Sequence, residues 1–358
     1  MRIDQNTSER LSVLRFPLIV GVVFIHADGT EIGLADGIVG IVDSSYLSDF
    51  IRNLISQGIA RIAVPLFFLM SGYFFFLDFS WSIKNYIKKI QARVKTLLVP
   101  FLFWNIFTLS LLALAQDIPA IQVYLSGKKD LISTFGTYQY LNAIFGIDRS
   151  PISYQFWFIR DLMVIILLTP AIYLIIRRIP KIFLAGIFLL WFFDIWLIYV
   201  PSVAAIAFFY AGAYFACSNI SLFALDRFGP AIISSYSAVL LIDTFSKGYE
   251  FNNYIHRTGV LLGVASALYI SKTIVRIDKA KIALLWAGGC SFFVFAMHEP
   301  LLTIVKKIAY NIVLPSSDLN ILSLYLAIPV LIIVTSTLLY VAMKFVSPRF
   351  LSMVSGGR

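Results

Sequence analysis

Residues 321–343 read ILSLYLAIPVLIIVTSTLLYVAM, a run of 23 residues without a charged side chain. A helix of about 20 apolar residues is long enough to cross the hydrocarbon core of a bilayer. Comparable runs recur along the 358-residue chain, which is 59% hydrophobic and 13% charged and has a mean hydropathy of +0.86. This charged fraction is about half that of an average soluble domain. The sequence therefore predicts an all-α, polytopic membrane protein.

Ten segments of this kind are predicted to cross the membrane as a helix bundle. They cover 11–27, 60–77, 96–115, 158–176, 182–199, 203–217, 229–246, 257–274, 284–305 and 321–343. Counts of eight or eleven spans stay open, because 199–218 is short and 28–57 is ambiguous. No stretch resembles a detachable soluble domain, so residues 1–358 are predicted to form a single membrane domain.

The charges in the connections predict the orientation of the chain. Segment 28–57 is mainly acidic, whereas the loop after the second span carries Lys84, Lys88, Lys89, Arg93 and Lys95. Basic connections stay in the cytoplasm. We therefore expect 28–57 and 116–157 to be external, and both termini, which carry Arg2 and Arg358, to be cytoplasmic. Within 46–57, apolar residues at helical spacing predict an amphipathic helix on the outer surface.

The net charge of +10 does not indicate a nucleic-acid partner. The basic residues lie in short connections rather than on a solvated surface interleaved with aromatic side chains, so membrane lipid is the expected environment. Cys217 and Cys290 both lie in apolar segments. They are expected to pack as small hydrophobic side chains rather than to form a disulfide or a metal site. No metal is predicted.

The first span contains a cation and an imidazole where hydrocarbon is expected. Arg15 and His26 are eleven residues apart, which places both on one face of a helix about 16 Å apart along its axis. Ionisable groups inside a membrane are costly and usually mark a functional site. The alternative is that Arg15 extends to the inner headgroups and His26 packs at the outer interface.

Polar groups also occur in later spans. Arg61 opens the second span, where Ser71 lies between the helix-loosening residues Pro65 and Gly72. The ninth span contains His298-Glu299-Pro300, an imidazole beside a carboxylate where proline loosens the helix. Lipid packing does not explain that pair, and a functional role is predicted.

The fourth and fifth spans contain polar residues that a structural role also explains. Trp157 is either a substrate-binding residue or an interfacial anchor, and Arg160 with Asp161 forms either a binding site or a charge pair at a helix end. Asp194 is expected to be a buried acid without an assigned role. The long external segment contains three tyrosines, for which a functional loop and an interfacial aromatic belt are equally acceptable interpretations. They are Tyr138, Tyr140 and Tyr154.

Several motifs occur in a fixed order between about residue 9 and residue 305. They are Arg15 and His26 with ten residues between them, Val64-Pro65-Leu66-Phe67-Phe68 leading to Ser71-Gly72-Tyr73, the basic stretch ending in Arg93 followed by Leu97-Leu98-Val99-Pro100-Phe101, Phe156-Trp157-Phe158, and Phe293 to His298-Glu299-Pro300-Leu301. In this ordered set the chain resembles the integral-membrane acyltransferase family 3. It departs from some members in having Lys88, Lys89 and Arg93 where they have two closely spaced arginines.

The resemblance implies an O-acetyltransferase of the bacterial plasma membrane. Such an enzyme moves an acetyl group from cytoplasmic acetyl-CoA to a hydroxyl of a surface polysaccharide or its lipid-linked precursor. It holds no permanently bound cofactor. A succinyl or other acyl donor and an amine acceptor remain open. A transporter or flippase of a lipid-linked sugar is the main alternative, because it would also need charges within the membrane.

In the enzyme interpretation His26 is the general base on the sugar hydroxyl, or it transiently accepts the acyl group. Glu299, or else Asp28, is expected to orient its imidazole as a carboxylate does in a catalytic triad. The phosphates of CoA are expected to bind to cations, namely Arg15, Lys88, Lys89 and Arg93. The sugar or the oxyanion is expected to contact Arg61, Ser71, Trp157, Arg160 and His298.

Overall fold

A computed structural model describes residues 4–35, 37–40, 46–77, 81–122, 124–125 and 130–357 of the chain. Arg2 and Arg358, on which the predicted position of the termini partly depends, lie outside these ranges. Parts of both predicted external segments, 36, 41–45, 123 and 126–129, also lie outside them.

Helices form nearly all of the regular structure in the described ranges. The α-helices are α1 Gln5–Ala27, α2 Tyr46–Ile55, α3 Ala63–Phe76, α4 Ile83–Arg93, α5 Val99–Asp117, α6 Pro119–Gln122, α7 Thr137–Phe145, α8 Trp157–Leu167, α9 Thr169–Arg178, α10 Pro180–Phe192, α11 Val203–Cys217, α12 Gly229–Phe245, α13 Asn252–Ile274, α14 Asp278–Val313, α15 Asp318–Val346 and α16 Pro348–Val354. A short antiparallel hairpin, β1 Glu31–Leu34 and β2 Gly37–Gly40, was not predicted. The predicted all-α, polytopic class is confirmed.

Each predicted span overlaps a helical segment, although the lengths differ. In the described part of the chain, six continuous helical stretches are long and apolar enough to cross a membrane: Gln5–Ala27, Leu47–Phe76, Ile83–Asp117, Ala224–Phe245, Asp278–Val313 and Asp318–Val346. The number is seven if α8 and α9, bent by 62°, form one broken span. Helices α10 and α11 are apolar but shorter. The figure of ten crossings and the orientation of the chain therefore stay predictions.

The fifth predicted span, 182–199, is wrong at its C-terminal end, because α10 stops at Phe192. Asp194 adopts a left-handed backbone conformation with φ 60°, and the N–H of Ile195 bonds back to the carbonyl of Leu190 at 3.0 Å. This is the hydrogen-bond pattern that closes a helix. Asp194 is consequently exposed rather than buried, and its carboxylate forms an ion pair with Arg257 at 2.9 Å.

The chain divides into two compact units, each assembled from three separate segments. The first unit contains Met1–Val22, Gln57–Val94 and Phe158–Ser291, and the second contains Val23–Ser56, Lys95–Trp157 and Phe292–Arg358. The prediction of a single domain over 1–358 remains a prediction.

Helices α3 and α11 form the tightest helix pair of the first unit. A methyl group on Gly72 of α3 would lie 2.0 Å from the carbonyl oxygen of Phe209, and one on Gly212 of α11 would lie 2.0 Å from that of Leu69. Small residues allow membrane helices to approach until their backbones touch. The two glycines therefore set the distance between α3 and α11.

The start of α1 is anchored within the first unit by Arg10, which is 3% exposed. Its guanidinium bonds to both carboxylate oxygens of Asp226 at 2.7 and 3.0 Å, and to the hydroxyl of Ser271 at 3.0 Å. The same group lies 3.5 Å from the ring centre of Phe223. A buried arginine that bonds to a carboxylate through two nitrogen atoms fixes the position of the start of α1 and also balances the charge of Asp226.

In the second unit, aromatic packing fixes the segment that leads into α8. Phe156 is fully buried, with ring centres 5.9 Å from Phe101 of α5 and 5.3 Å from Phe295 of α14. Helix α2, predicted as an amphipathic surface helix, packs Ile51 and Ile55 against a buried cluster from α1, α14 and α15. The ring contacts of Phe156 with Phe101 and Phe295 hold the residues before Phe156 beside α14.

Candidate functional site

The end of α1 is held by a lysine from α14, within the second unit. The Nζ of Lys306 lies 3.1 Å from the carbonyl oxygen of Ala27, 3.4 Å from that of Asp28 and 3.2 Å from that of Gly29. The last carbonyls of a helix have no partner within the helix and carry partial negative charge, which a cation stabilises. The lysine therefore fixes the last turn of α1, where His26 is located.

Further bonds fix the same turn. The hydroxyl of Ser56 donates to the carbonyl of Phe24 at 2.6 Å and lies 2.7 Å from the hydroxyl of Tyr325. Asp28 forms an ion pair with Arg52 at 2.7 Å. The structure thus gives Asp28 a partner on α2, while its suggested role in orienting His26 stays a prediction.

Helix α14 is broken at the predicted place. Glu299 has φ −112° and ψ 134°, outside the helical region. Pro300 has no N–H, so it cannot bond to the carbonyl of Ala296 as a helical residue would. The side-chain Nε2 of Gln155 donates to that carbonyl at 3.3 Å and to the carbonyl of Glu299 at 3.2 Å. The break therefore creates the acceptors that bind Gln155.

His298 lies one residue before the break and is fully buried. Its Nδ1 bonds to the carbonyl oxygen of Phe295. A carbonyl oxygen only accepts hydrogen bonds, so Nδ1 carries the hydrogen and Nε2 of the neutral ring keeps the lone pair. This Nε2 has no hydrogen-bond partner among the residues that the structure describes.

Residues from three distant parts of the sequence meet in what we call the His26 cluster: His26, Tyr154, Gln155, His298 and Glu299. The ring centre of His26 is 4.9 Å from that of Tyr154, edge to face, and 5.3 Å from that of His298, stacked. The hydroxyl of Tyr154 donates to Oε1 of Glu299 at 2.8 Å. All five belong to the second unit, and Glu299 is only 4% exposed.

Three predicted site residues, His26, His298 and Glu299, are thus brought together. Two further members of the cluster had no assigned role. For Tyr154, the sequence left a functional loop and an interfacial aromatic belt open as interpretations, and Gln155 was not predicted. The signal for Gln155 was an amide directly before the apolar Phe156-Trp157-Phe158 run. Trp157 begins α8 in the same unit and is half-buried.

The other two external tyrosines stabilise their own segment. Tyr138 donates to Asp148 at 2.9 Å, and Tyr140 donates to the carbonyl of Ile132 at 3.1 Å. Hydrogen bonds from Asn142 and Tyr138 lower the pKa of Asp148 below its usual value. These bonds give Tyr138 and Tyr140 a structural role, in contrast to Tyr154.

The cations predicted to bind CoA belong to the first unit. Arg15 is half-buried on α1, and α4 carries the other three, Lys88, Lys89 and Arg93. Lys89 and Arg93 are four residues apart and therefore share a helix face. Nζ of Lys89 donates to the carbonyl of Phe75 and lies 4.8 Å from the centre of its ring. Lys88 is exposed.

The remaining predicted binding residues also lie in the first unit. Arg61 bonds to the side chain of Gln57 through Nε at 3.1 Å, and Ser71 is half-buried on α3. Arg160 forms an ion pair with Asp161 at 3.0 Å. The second carboxylate oxygen of Asp161 accepts from the backbone N–H of Ser202 at 2.8 Å. The charge-pair interpretation matches this placement of Arg160, while its binding role stays a prediction.

The third histidine belongs to a polar network of the first unit that the sequence did not reveal. Asp243 accepts from Lys247 at 2.8 Å and from Asn252 at 2.9 Å, and lies 3.1 Å from Nδ1 of His256. Within the described ranges, no group of three or more His, Cys, Asp or Glu side chains is placed to hold a metal ion.

Comparison with known proteins supports the inference drawn from the residues. A family model described as an acyltransferase domain matches residues 9–342. The succinoglycan biosynthesis protein ExoH of Rhizobium meliloti is 26% identical over 312 residues, which cover 84% of this chain and 80% of that protein. No solved structure matches the chain.

Proposed function

The chain belongs to the integral-membrane acyltransferase family 3, and we propose that it transfers an acetyl group from cytoplasmic acetyl-CoA to a hydroxyl of a cell-surface polysaccharide or its lipid-linked precursor. Family membership makes it an acyltransferase. The polysaccharide acceptor is supported by the name of the ExoH relative, which refers to succinoglycan biosynthesis. In this proposal the enzyme is located in a bacterial plasma membrane, where the donor and the acceptor approach from opposite sides.

The observation that carries the proposal is the His26 cluster. Two imidazoles, a phenol and a carboxylate from distant parts of the chain converge in one cluster, in which His298 and Glu299 are buried. Imidazole titrates near neutral pH and is the commonest general base in enzymes. Helix packing does not require two imidazoles and a carboxylate to meet, whereas acyl transfer to a hydroxyl needs a base of this kind.

In the reaction that we propose, His26 removes the proton from the acceptor hydroxyl as its oxygen attacks the thioester carbonyl. The new oxygen–carbon bond forms, the carbon–sulfur bond breaks, and the thiolate of CoA leaves with a proton returned by the imidazolium. In the two-step variant, the imidazole first takes the acyl group from CoA and then yields it to the hydroxyl. In both, a nearby carboxylate, Glu299, stabilises the positive charge that the imidazole acquires.

Binding of the donor is assigned in the proposal to the cations of the first unit. Arg15, Lys88, Lys89 and Arg93 would bind its phosphates, as guanidinium and ammonium groups commonly do. For the acceptor, the proposal retains its predicted contacts, which are Arg61, Ser71, Trp157, Arg160 and His298. Acetyl-CoA is a substrate here, not a resident cofactor.

The proposal is tested with surface glycans from cells that lack the gene and from cells that carry the wild type, His26→Ala or His256→Ala. Mass spectrometry should show acetyl groups, removable by mild alkali, in the wild type and the His256→Ala strain. They should be absent from the His26→Ala strain, although the protein is present in its membranes. His256 is the matched control because it is a histidine outside the His26 cluster.

Two outcomes would contradict the proposal. Glycans that stay fully acylated in the His26→Ala strain would remove its catalytic base. Glycans that are equally acylated without the gene, but reach the surface in smaller amounts, would support a transporter of lipid-linked sugar instead.

A further inference from the structure

Two buried acceptor atoms of the His26 cluster have no hydrogen-bond partner within the described part of the chain. They are Nε2 of His298, whose residue is 0% exposed, and Oε1 of Gln155, whose residue is 1% exposed. Buried polar groups in folded proteins are nearly always paired, and an exception calls for an explanation. Both atoms lie next to the break of α14.

The chemistry of both atoms is fixed by their neighbours. Nδ1 of His298 must donate to the carbonyl of Phe295, which leaves Nε2 as an acceptor. The amide nitrogen of Gln155 faces two carbonyl oxygens, those of Ala296 and Glu299. Reversing the amide would place oxygen against oxygen, so the unpaired atom is the amide oxygen. Each of the two atoms is therefore a neutral group that accepts hydrogen bonds and donates none.

A ligand that pairs with both atoms must bring two hydrogen-bond donors. We propose that Gln155 and His298 bind two neighbouring hydroxyl groups of the acceptor sugar, one of them beside His26, whose ring lies 5.3 Å from that of His298. Hydroxyl pairs of this kind occur around every sugar ring. The carboxylate of Glu299 in the same cluster disfavours a phosphate or an acid at this place. The inference rests on the proposed function and adds Gln155 as a residue that recognises the acceptor.

The pantetheine arm of CoA is the other source of two donors, through its amide N–H groups. The sugar is favoured because Gln155 lies near the end of the long segment 116–157, which is predicted to be external, whereas the donor in the proposed function enters from the cytoplasm. Kinetics with each substrate varied in turn separate the two sources.

The test uses the full-length protein in native membranes, with radiolabelled acetyl-CoA and unacylated surface glycan prepared from cells that lack the gene. Gln155→Met keeps the size of the side chain but removes its polar atoms. It should raise the KM for the glycan about three- to tenfold, the effect of one lost hydrogen bond, with the KM for acetyl-CoA unchanged. Gln139→Met, the same substitution at an exposed position of α7, is the matched control.

A second pair of variants keeps the inference testable if Gln155→Met does not fold. The amide of His298→Asn reaches the position of Nδ1 only, whereas that of His298→Gln reaches the position of Nε2. The glutamine variant should therefore keep a lower KM for the glycan than the asparagine variant, at equal amounts of protein in the membrane. Equal KM values for the glycan in His298→Gln and His298→Asn would contradict a role for Nε2.

The outcomes separate this inference from the proposed function. If the wild type acylates the glycan and Gln155→Met leaves its KM unchanged, Gln155 only supports the bend of α14 and the inference fails alone. If instead the KM for acetyl-CoA rises, the pantetheine amides occupy the site and the inference is again wrong. If the wild type transfers no acyl group from acetyl-CoA or succinyl-CoA, the proposed function and the inference both fail.

Discussion

At the scale of single residues, Tyr154 connects the two kinds of chemistry in the His26 cluster. Its ring packs edge to face against His26, while its hydroxyl donates to the carboxylate of Glu299 at 2.8 Å. A hydrogen bond to a charged acceptor is stronger than one between neutral groups. Tyr154 therefore orients the carboxylate and limits the movement of the imidazole at the same time.

Tyr154→Phe separates these two roles, because it keeps the ring and removes the hydroxyl. A hydrogen bond to a charged group contributes about 1.5–3 kcal/mol, so we expect acyl transfer to slow about ten- to a hundredfold. Initial rates in membranes, normalised to the amount of protein, measure the effect. Tyr140→Phe, which removes a hydroxyl bonded to the carbonyl of Ile132, is the control and should keep the wild-type rate. A wild-type rate for Tyr154→Phe would show that Glu299 acts without this bond.

At the scale of secondary-structure elements, the position of His26 depends on how α1 ends. Lys306 crosses from α14 and places one ammonium group among three carbonyl oxygens of residues 27–29. An ammonium group has three hydrogens to donate, so the set matches its capacity. The hydroxyl of Tyr310, one helical turn further along α14, bonds to the carbonyl of Gly29 at 3.2 Å.

Lys306→Met keeps most of the side-chain volume but removes the cation from the end of α1. The last turn should then fray, which hydrogen exchange of the amides near residues 24–29 would detect. We expect acyl transfer to fall by at least about tenfold, since displacing a catalytic group by about 1 Å is already costly. Lys307→Met, which removes a neighbouring ammonium bonded to the carbonyl of Tyr124, should have little effect. Unchanged exchange and activity in Lys306→Met would exclude a positioning role.

The crossing of α3 and α11 leads to a prediction about stability at the same scale. Gly212→Val forces a side chain into the backbone of α3, where even a methyl group would lie 2.0 Å from the oxygen of Leu69. Overpacking of this kind costs about 1–3 kcal/mol or more. We expect a smaller folded fraction after detergent extraction, measured by size-exclusion chromatography and thermal unfolding. Gly186→Val on α10 is the control, because no atom lies within 4 Å of the added carbon. Equal stability of the two variants would contradict this account of the crossing.

At the scale of the whole molecule, the sequence predicts helices well because each apolar run carries its own signal. It predicts their ends less well. Helix α10 stops at Phe192 rather than near 199, because Asp194 takes a left-handed conformation that apolar periodicity does not encode. The hairpin of residues 31–40 was missed because its strands are only four residues long.

The site was predicted to the extent that its residues are unusual in a membrane. His26, His298 and Glu299 stand out as ionisable groups in apolar runs, and the structure places them in one cluster. Gln155 and Lys306 could not be found in this way, because their roles depend on partners more than 140 residues away in the chain. Sequence spacing along one helix carries no information about such partners.

Under the proposed function, the break in α14 also determines how far each substrate must travel. From Asp278 to His298 the helix rises about 30 Å, and from Gln5 to His26 α1 rises by about the same distance, which is close to the thickness of the hydrocarbon core. With the predicted orientation, each imidazole lies at the far end of a helix that is one membrane thick. In the proposed function, a hydrated glycan can then stay outside the lipid and present only the hydroxyl groups that bind to the His26 cluster. In the same proposal, it is the acetyl group, which is small and uncharged, that makes nearly the whole crossing.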